Sequence, residues 1–332
     1  MKRILAFALI GLQTACAVTP VTPIAPKICT EVRGVLDIGS GATKMKVARV
    51  DRCLQKIERI LMADSIKVAY SADLKKNDRK FSVAIQAEGL KAIQTLLKEG
   101  NTKKPARWIG IATSAFRVAK NGKAVLADFA KKTQVDLRII PQDQEGALGF
   151  SAGIQAATVP ASKVVVWDIG GGSQQFAFLK DRKVEVIKLE DRASEGFKEV
   201  LIRDVKHEKD MKSPNPIGVK NLKAADQAAR RFAENVKFPF QPEQVIGIGG
   251  VHVNSFAKTL NGRSPYTMAD LQKAITKYAS FTDAALKDDY ADTQVSNLIL
   301  VKGMMEQLKI PAVTVSKFGG AEGALVYPGF WR

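Results

Sequence analysis

Two short stretches of this 332-residue chain carry residue types suited to holding a multiply charged anion: Asp37-Ile-Gly39-Ser40-Gly41 and Asp168-Ile-Gly170-Gly171-Gly172-Ser173. Glycine lets the backbone approach an anion closely, and the successive N–H groups of such a turn form an anion-binding nest. The aspartate that opens each stretch can hold a hard divalent cation, directly or through water. A single copy would read as a hairpin turn, where aspartate and glycine are common. The two copies lie 131 positions apart (168 − 37 = 131), each between strand-like runs. They read as two units built on one plan and facing each other across a cleft. Each turn leads into a second strand rather than a helix, which excludes a Rossmann fingerprint, and no Gly-x₄-Gly-Lys-Ser/Thr loop is present.

The elements that must carry these turns alternate between strand-like and helix-like patterns, which makes the chain α/β. Strands are expected at 34–37, 44–50, 107–112, 135–140, 163–168, 175–179, 183–189 and 244–248. Helices are expected at 82–98, 124–132, 144–157, 224–236, 267–279 and 292–308. Four segments follow in order: 1–17 as an export signal, 18–30 as a Thr/Pro-rich linker, and two lobes over 31–157 and 158–332. With 51 lysines and arginines against 33 acids, the net charge of +18 favours an anionic partner. Two histidines and three cysteines exclude a multi-histidine cage and a four-thiolate zinc site. Aromatic residues, 7% of the chain, do not cluster as a single-strand nucleic-acid groove requires, so no specific nucleic acid is expected. Lys75 to Lys80 and Lys180 to Lys183 could line the approach of a long anion, or be solvated faces.

Lys2 and Arg3 precede the apolar run Ile4 to Leu12, too short to span a bilayer but suited to a secretory signal. Ala15-Cys16-Ala17 offers a small-residue cleavage site, while Leu12 to Cys16 resembles a bacterial lipobox that would place lipid on Cys16. Either route sends the chain out of the cytoplasm, where the expectation is a periplasmic, membrane-anchored protein. Cys29 and Cys53 then lie in a compartment that permits disulfides. A hairpin centred on Gly41 sets opposite one another positions whose numbers total 82, as 29 and 53 do, so a Cys29–Cys53 bond is expected.

The two turns, taken with three further segments, resemble the exopolyphosphatase and guanosine pentaphosphate phosphohydrolase family. The segments are Gly110-Ile-Ala-Thr-Ser-Ala-Phe-Arg117 with Asn121, Ile139-Ile-Pro-Gln-Asp-Gln-Glu145, and Ile246-Gly-Ile-Gly249-Gly250, with Gly319-Gly-Ala-Glu-Gly323 near the end. The resemblance implies two ribonuclease-H-like lobes of the actin-like ATPase kind with an interlobe cleft. It also implies a hydrolase that removes terminal phosphate from polyphosphate or a related phosphoanhydride. Glu145 would activate water, with Asp143 as the fallback base or the cap of its helix. Arg117 would fork onto phosphate oxygens. Gly39, Ser40, Gly41, Gly170, Gly171, Gly172, Ser173, Gly249 and Gly250 would cradle phosphate, and Asp37 and Asp168 would hold Mg²⁺ or another divalent cation. A homodimer is a further implied state, and His252 is expected to be structural.

The sequence departs from the family pattern at several positions facing phosphate or metal. Gln174-Gln175 stand in place of Thr-Glu, Gly41-Ala42 in place of Asn-Ser, Val251 in place of Thr, Ala321 in place of Arg, and Gln144 where a second Glu is frequent. An amide in place of a carboxylate removes a charge that a hard cation prefers. Two classes therefore stand side by side: a phosphoanhydride hydrolase, and a catalytically weak or inactive lipoprotein that binds polyphosphate or nucleotide. Nucleic-acid binding through net charge alone is a third, and its affinity would fall steeply with salt.

Overall fold

The computed structural model describes residues 29–288 and 290–331. The expected signal, the Cys16 lipidation site and nearly all of the linker lie outside them. Eleven strands form two sheets among the described residues. The first contains β1 (Thr30–Ile38), β2 (Ala42–Asp51), β3 (Lys56–Lys67), β4 (Arg107–Ala112) and β5 (Asp136–Ile139), in the order β3-β2-β1-β4-β5. The second contains β6 (Val164–Ile169), β7 (Ser173–Lys180), β8 (Lys183–Glu190), β9 (Gln244–Ile248), β10 (Tyr266–Thr267) and β11 (Ala312–Val315), in the order β10-β11-β9-β6-β7-β8. Read outward from β1 and β6, the two sheets share one plan. An antiparallel meander of three strands is followed by two further strands, parallel to the first and reached through helical crossovers. The repeat of the glycine turns is thus a repeat of whole lobes.

β3 escaped the sequence reading. It is an edge strand with one face in solvent, and its charged residues (Lys56, Glu58, Arg59, Asp64, Lys67) mask the apolar alternation. β10 and β11, with two and four residues, are too short to give a periodic signal.

The central strands of each sheet are buried on both faces. The inner faces are covered by two helices that pack on each other: the glutamate helix Gln142–Gly153 and the C-terminal helix Gly320–Val326. The first follows the first sheet in sequence but lies on β6–β9 of the second, and the C-terminal helix lies on β1–β3 of the first. The lobes are therefore tied by an exchange of helices at the floor of the cleft. The close crossing depends on Gly323, where a Cβ would fall 2.1 Å from the Leu148 carbonyl oxygen.

The Cys29–Cys53 disulfide is present, with Cα atoms 5.5 Å apart, although the expected register is off by one. Opposed residues of β1 and β2 total 81, as in Thr30 and Asp51, so Arg52 rather than Cys53 stands across from Cys29 and donates its N–H to the Cys29 carbonyl. The Asp51 carboxylate accepts from the N–H groups of Cys53 and Leu54, at 2.8 and 2.9 Å. That Asx turn curls the chain back and brings the next residue within bonding reach.

Candidate active site

The two glycine turns are the same object built twice. Gly39 N–H donates to the Ala42 carbonyl at 2.9 Å, and Gly170 N–H to the Ser173 carbonyl at 3.0 Å. The carbonyls of Ser40 and Gly41 accept from Ser71 and Val68, and those of Gly171 and Gly172 from Glu195 and Asp191. These carbonyls turn into their own lobe, so the N–H of each following residue points the other way. The amides of Gly39 and Gly170 close their own turns, which leaves any role of holding phosphate by N–H to the later members of each nest. The turns face one another closely: a Cβ on Gly172 would lie 2.9 Å from Ser114 Oγ and 3.0 Å from Ser40 Oγ.

Behind each turn the hairpin register pairs an aspartate with a polar residue on the next strand. Asp37 faces Lys44, whose Nζ is 4.0 Å from Oδ2. Asp168 faces Gln175, whose amide donates to Oδ2 at 2.9 Å. Gln175 is held in turn by Gln142 Nε2, which donates to the Gln175 side-chain oxygen and to the Gln174 carbonyl, both at 3.0 Å. The backbone carbonyl fixes the orientation of Gln142, and through it that of Gln175. Gln174 points away from the cleft and accepts from Trp167 Nε1 inside the second lobe. Gly249, at φ +84°, is required twice over. Its backbone is left-handed, and a Cβ would fall 2.2 Å from Asp168 Oδ1.

Glu145 lies in the first turn of the glutamate helix, whose N-cap is Pro141. Asp143 is neither cap nor neighbour of the cleft acids, being ion-paired with Lys188 at 2.8 Å. Arg117, the fourth residue of the short helix Ser114–Val118, reaches across from the first lobe. Its Nη1 donates to Glu145 at 2.6 Å, while Nε and Nη2 both donate to Glu190 Oε1 at 3.0 and 2.8 Å. Asn121 holds the backbone of Phe81 by both its amide N and O, a structural duty.

Burial raises the pKa of Glu145 to about 7, a shift opposed by Arg117 and reinforced by Asp168 and Asp37. Asp168 is raised to about 6 by burial, against Lys44 and with Asp37. Burial also pushes Asp37 upward, with Lys44 opposing. Burial is the main cause for all three carboxylates of this pocket; Asp37 adds to the shift of Asp168, and both add to that of Glu145, with Lys44 and Arg117 opposing. Among the described residues no three metal-binding side chains of this pocket converge within 4.8 Å; the one such trio is Cys29, Asp51 and Cys53, where both sulfurs are in the disulfide. Asp37 and Asp168 nevertheless fit a hard cation that takes one or two carboxylates and fills its shell with water and phosphate oxygens.

Gly250 opens a π-helical turn, Val251–Ser255, that leaves β9 beside Asp168. His252 is buried in the second lobe against Tyr266 and Trp167, its pKa lowered by burial to about 3. Lys180 to Lys183 form the far turn of the β7–β8 hairpin, about 23 Å along β7 from Ser173, and do not line the cleft. Lys75 does stand at its mouth, paired with Glu199 at 2.8 Å and Glu195 at 3.6 Å on the opposite lobe. The sequence reading missed Lys44, Gln142 and Glu190. Glu190 was within reach of it: a two-residue turn at Asp181-Arg182 pairs Lys180 with Lys183 and hence Ser173 with Glu190.

Two lobes built on one plan, joined by exchanged helices and closing paired glycine turns on buried acids, give the chain a fold of the actin-like kind. The chain matches the Ppx/GppA phosphatase family over residues 47–327 and belongs to that family. It is 26% identical over 153 residues to exopolyphosphatase 1 of Mycobacterium tuberculosis, a match covering 46% of this chain and 44% of that protein. The chain thus matches less than half the length of this curated relative. The fold is similar to that of the Aquifex aeolicus Ppx/GppA family member, with a TM-score of 0.71 at 21% identity over 90% of this chain and 97% of that one. An exopolyphosphatase from Cytophaga hutchinsonii gives a TM-score of 0.71 at 17% identity over 89% and 96%.

Proposed function

We propose that this protein hydrolyses the terminal phosphate of polyphosphate or a related phosphoanhydride. The observation that carries the reading is Glu145, a carboxylate raised to about 7 at the cleft between two phosphate-type nests and touching Arg117. A base with a pKa near the working pH can take a proton from water and still be ionised beforehand. Water adds to the terminal phosphorus, the bridging P–O bond breaks, Glu145 accepts the proton of the water, and the chain leaves one phosphate shorter. Arg117 and the amides of the two nests offset charge on the phosphoryl oxygens, where such donors contribute most. Mg²⁺, held through Asp37 and Asp168, would neutralise further oxygens of the bound phosphates. Polyphosphate suits the +18 charge, and an export signal disfavours an intracellular nucleotide as substrate.

The test is phosphate release from long-chain polyphosphate, with and without Mg²⁺, by the wild type and Glu145→Gln. Metal-dependent release lost in the variant is expected; equal release by both would overturn the role of Glu145. A second reading, a binding protein with little turnover, is favoured by the Gln175 amide on Asp168. It predicts tight polyphosphate binding without release. Export to the periplasm with lipid on Cys16 is part of the proposal, and the mass of the mature N-terminus tests it.

A further inference from the structure

The hydrogen bonds of Arg117 account for all five N–H groups of its guanidinium. Nη1 serves Glu145 and the Ile140 carbonyl, the latter at 3.2 Å; Nη2 serves Glu190 and Ser173 Oγ, at 2.8 and 3.4 Å; Nε serves Glu190 at 3.0 Å. The Nε/Nη2 edge is the one a carboxylate or phosphate takes in a forked pair, and here both donors converge on a single oxygen of Glu190. The other oxygen of Glu190 is approached by Ser114 Oγ at 3.4 Å. Ser114 in turn touches the space above Gly172, and Ser173 pairs directly with Glu190 across the β7–β8 hairpin. A carboxylate therefore sits in an anion seat made by Arg117, Ser114 and Ser173, at the edge of the second nest. The side chain of Glu190 is 36% exposed, so it can swing into solvent when another anion arrives.

We propose that Glu190 is a built-in competitor for this seat, and that it sets the specificity of the cleft for polyanions over single phosphates. The inference rests on the reading of the cleft as a phosphoanhydride site. A tethered carboxylate keeps the seat filled, so a ligand that must enter the seat binds with an affinity reduced by the fraction of time it stands open. Free phosphate offers the seat little beyond what Glu190 already supplies. A phosphate chain can hold to both nests while Glu190 keeps the seat, so it does not bear the whole of that reduction.

The experiment is calorimetric binding of inorganic phosphate and of tripolyphosphate to the wild type, Glu190→Gln, Glu190→Ala and Asp191→Asn. Asp191→Asn removes the neighbouring charge without touching Arg117, and asparagine accepts the left-handed backbone there, at φ +59°. The two Glu190 variants are expected to bind inorganic phosphate about tenfold tighter or more, a seat filled nine-tenths of the time giving that factor. Tripolyphosphate should gain less, so the ratio of the two affinities narrows, while Asp191→Asn stays within about twofold for a screened charge. The inference is overturned if Glu190→Ala leaves phosphate affinity unchanged, or if Asp191→Asn tightens it as much. Arg117→Ala separates the two layers. If tripolyphosphate binds the wild type and is lost in Arg117→Ala while the Glu190 variants behave as wild type, only the role of Glu190 falls. If tripolyphosphate binds neither the wild type nor any variant, the phosphoanhydride reading falls with it.

Discussion

The turn at 39–42 and the turn at 170–173 share hydrogen bonds and hairpin register, yet their aspartates meet chemically different partners across the hairpin. Asp37 looks across its hairpin at the Lys44 ammonium; Asp168 looks at the same register position and finds the Gln175 amide. Lys44 lowers the pKa of both aspartates, but Asp37 has it as its own hairpin partner, whereas Asp168 has a neutral amide there and feels Asp37 as a like charge. A duplicated scaffold thus fixes where a side chain points, and the residue at the register position decides what the site can hold.

The strongest way to probe the comparison is through the acid that lies between the turns. Glu145→Gln should lower phosphate release by about 10²- to 10⁴-fold, the usual contribution of a general base, with polyphosphate binding retained. Loss of binding in parallel would mean that Glu145 holds Arg117 in place rather than activating water.

Gln175→Glu makes the second turn anionic. A carboxylate against Asp168 inside the cleft should cost about 3 kcal/mol or more without divalent cation, recovered in thermal melts as Mg²⁺ is added. Lys44→Met removes the counter-charge of the first turn and should show the same Mg²⁺ rescue, smaller in size. Rescue absent from both variants would exclude the cleft aspartates as cation ligands.

The pH dependence separates folding from chemistry. The folded-state pKa of Glu145, about 7, lies above its ordinary 4.5, so the native state holds the proton more tightly than the unfolded chain. The contribution of this group to stability is therefore full below about 4.5 and declines as pH rises to about 7. Asp168 acts in the same sense up to about 6. Activity should move the other way, rising through pH 7 as Glu145 ionises. Thermal melts and rates from pH 5 to 8 check both slopes, and Glu145→Gln should flatten its share of the first.

The smallest effect compares equivalent glycines. A Cβ on Gly41 meets nothing within 4 Å, whereas one on Gly172 meets two serine hydroxyls at 2.9 and 3.0 Å. Gly41→Ala should stay within about 0.5 kcal/mol, and Gly172→Ala should cost about 1–2 kcal/mol in denaturant melts. Equal costs would mean that the lobes part enough in solution to free Gly172.

Much of this was legible in the chain. The 131-residue repeat of Asp-Ile-Gly, with strand patterns on both sides, carried the two-lobed plan, and strands 107–112 and 244–248 were placed to the residue. Short-range periodicity does this well because burial of one face imposes it. Edge strand β3 was lost because charge on its solvent face hid the pattern. The disulfide was expected from a register one residue away from the observed one, and the Asx turn at Asp51 supplied the difference.

By itself the sequence determined the class of fold, the two glycine turns, and the acids and arginine near them, because these follow from local patterns and from the residue types themselves. Tertiary structure decided who meets whom. It placed Glu145 on the second sheet through a helix exchange and filled the Arg117 fork with Glu190. The Arg117–Glu190 pairing joins residues 73 positions apart, and contact across such a distance is set by lobe packing and desolvation, whereas the partners of the two aspartates follow from hairpin register once each turn has folded.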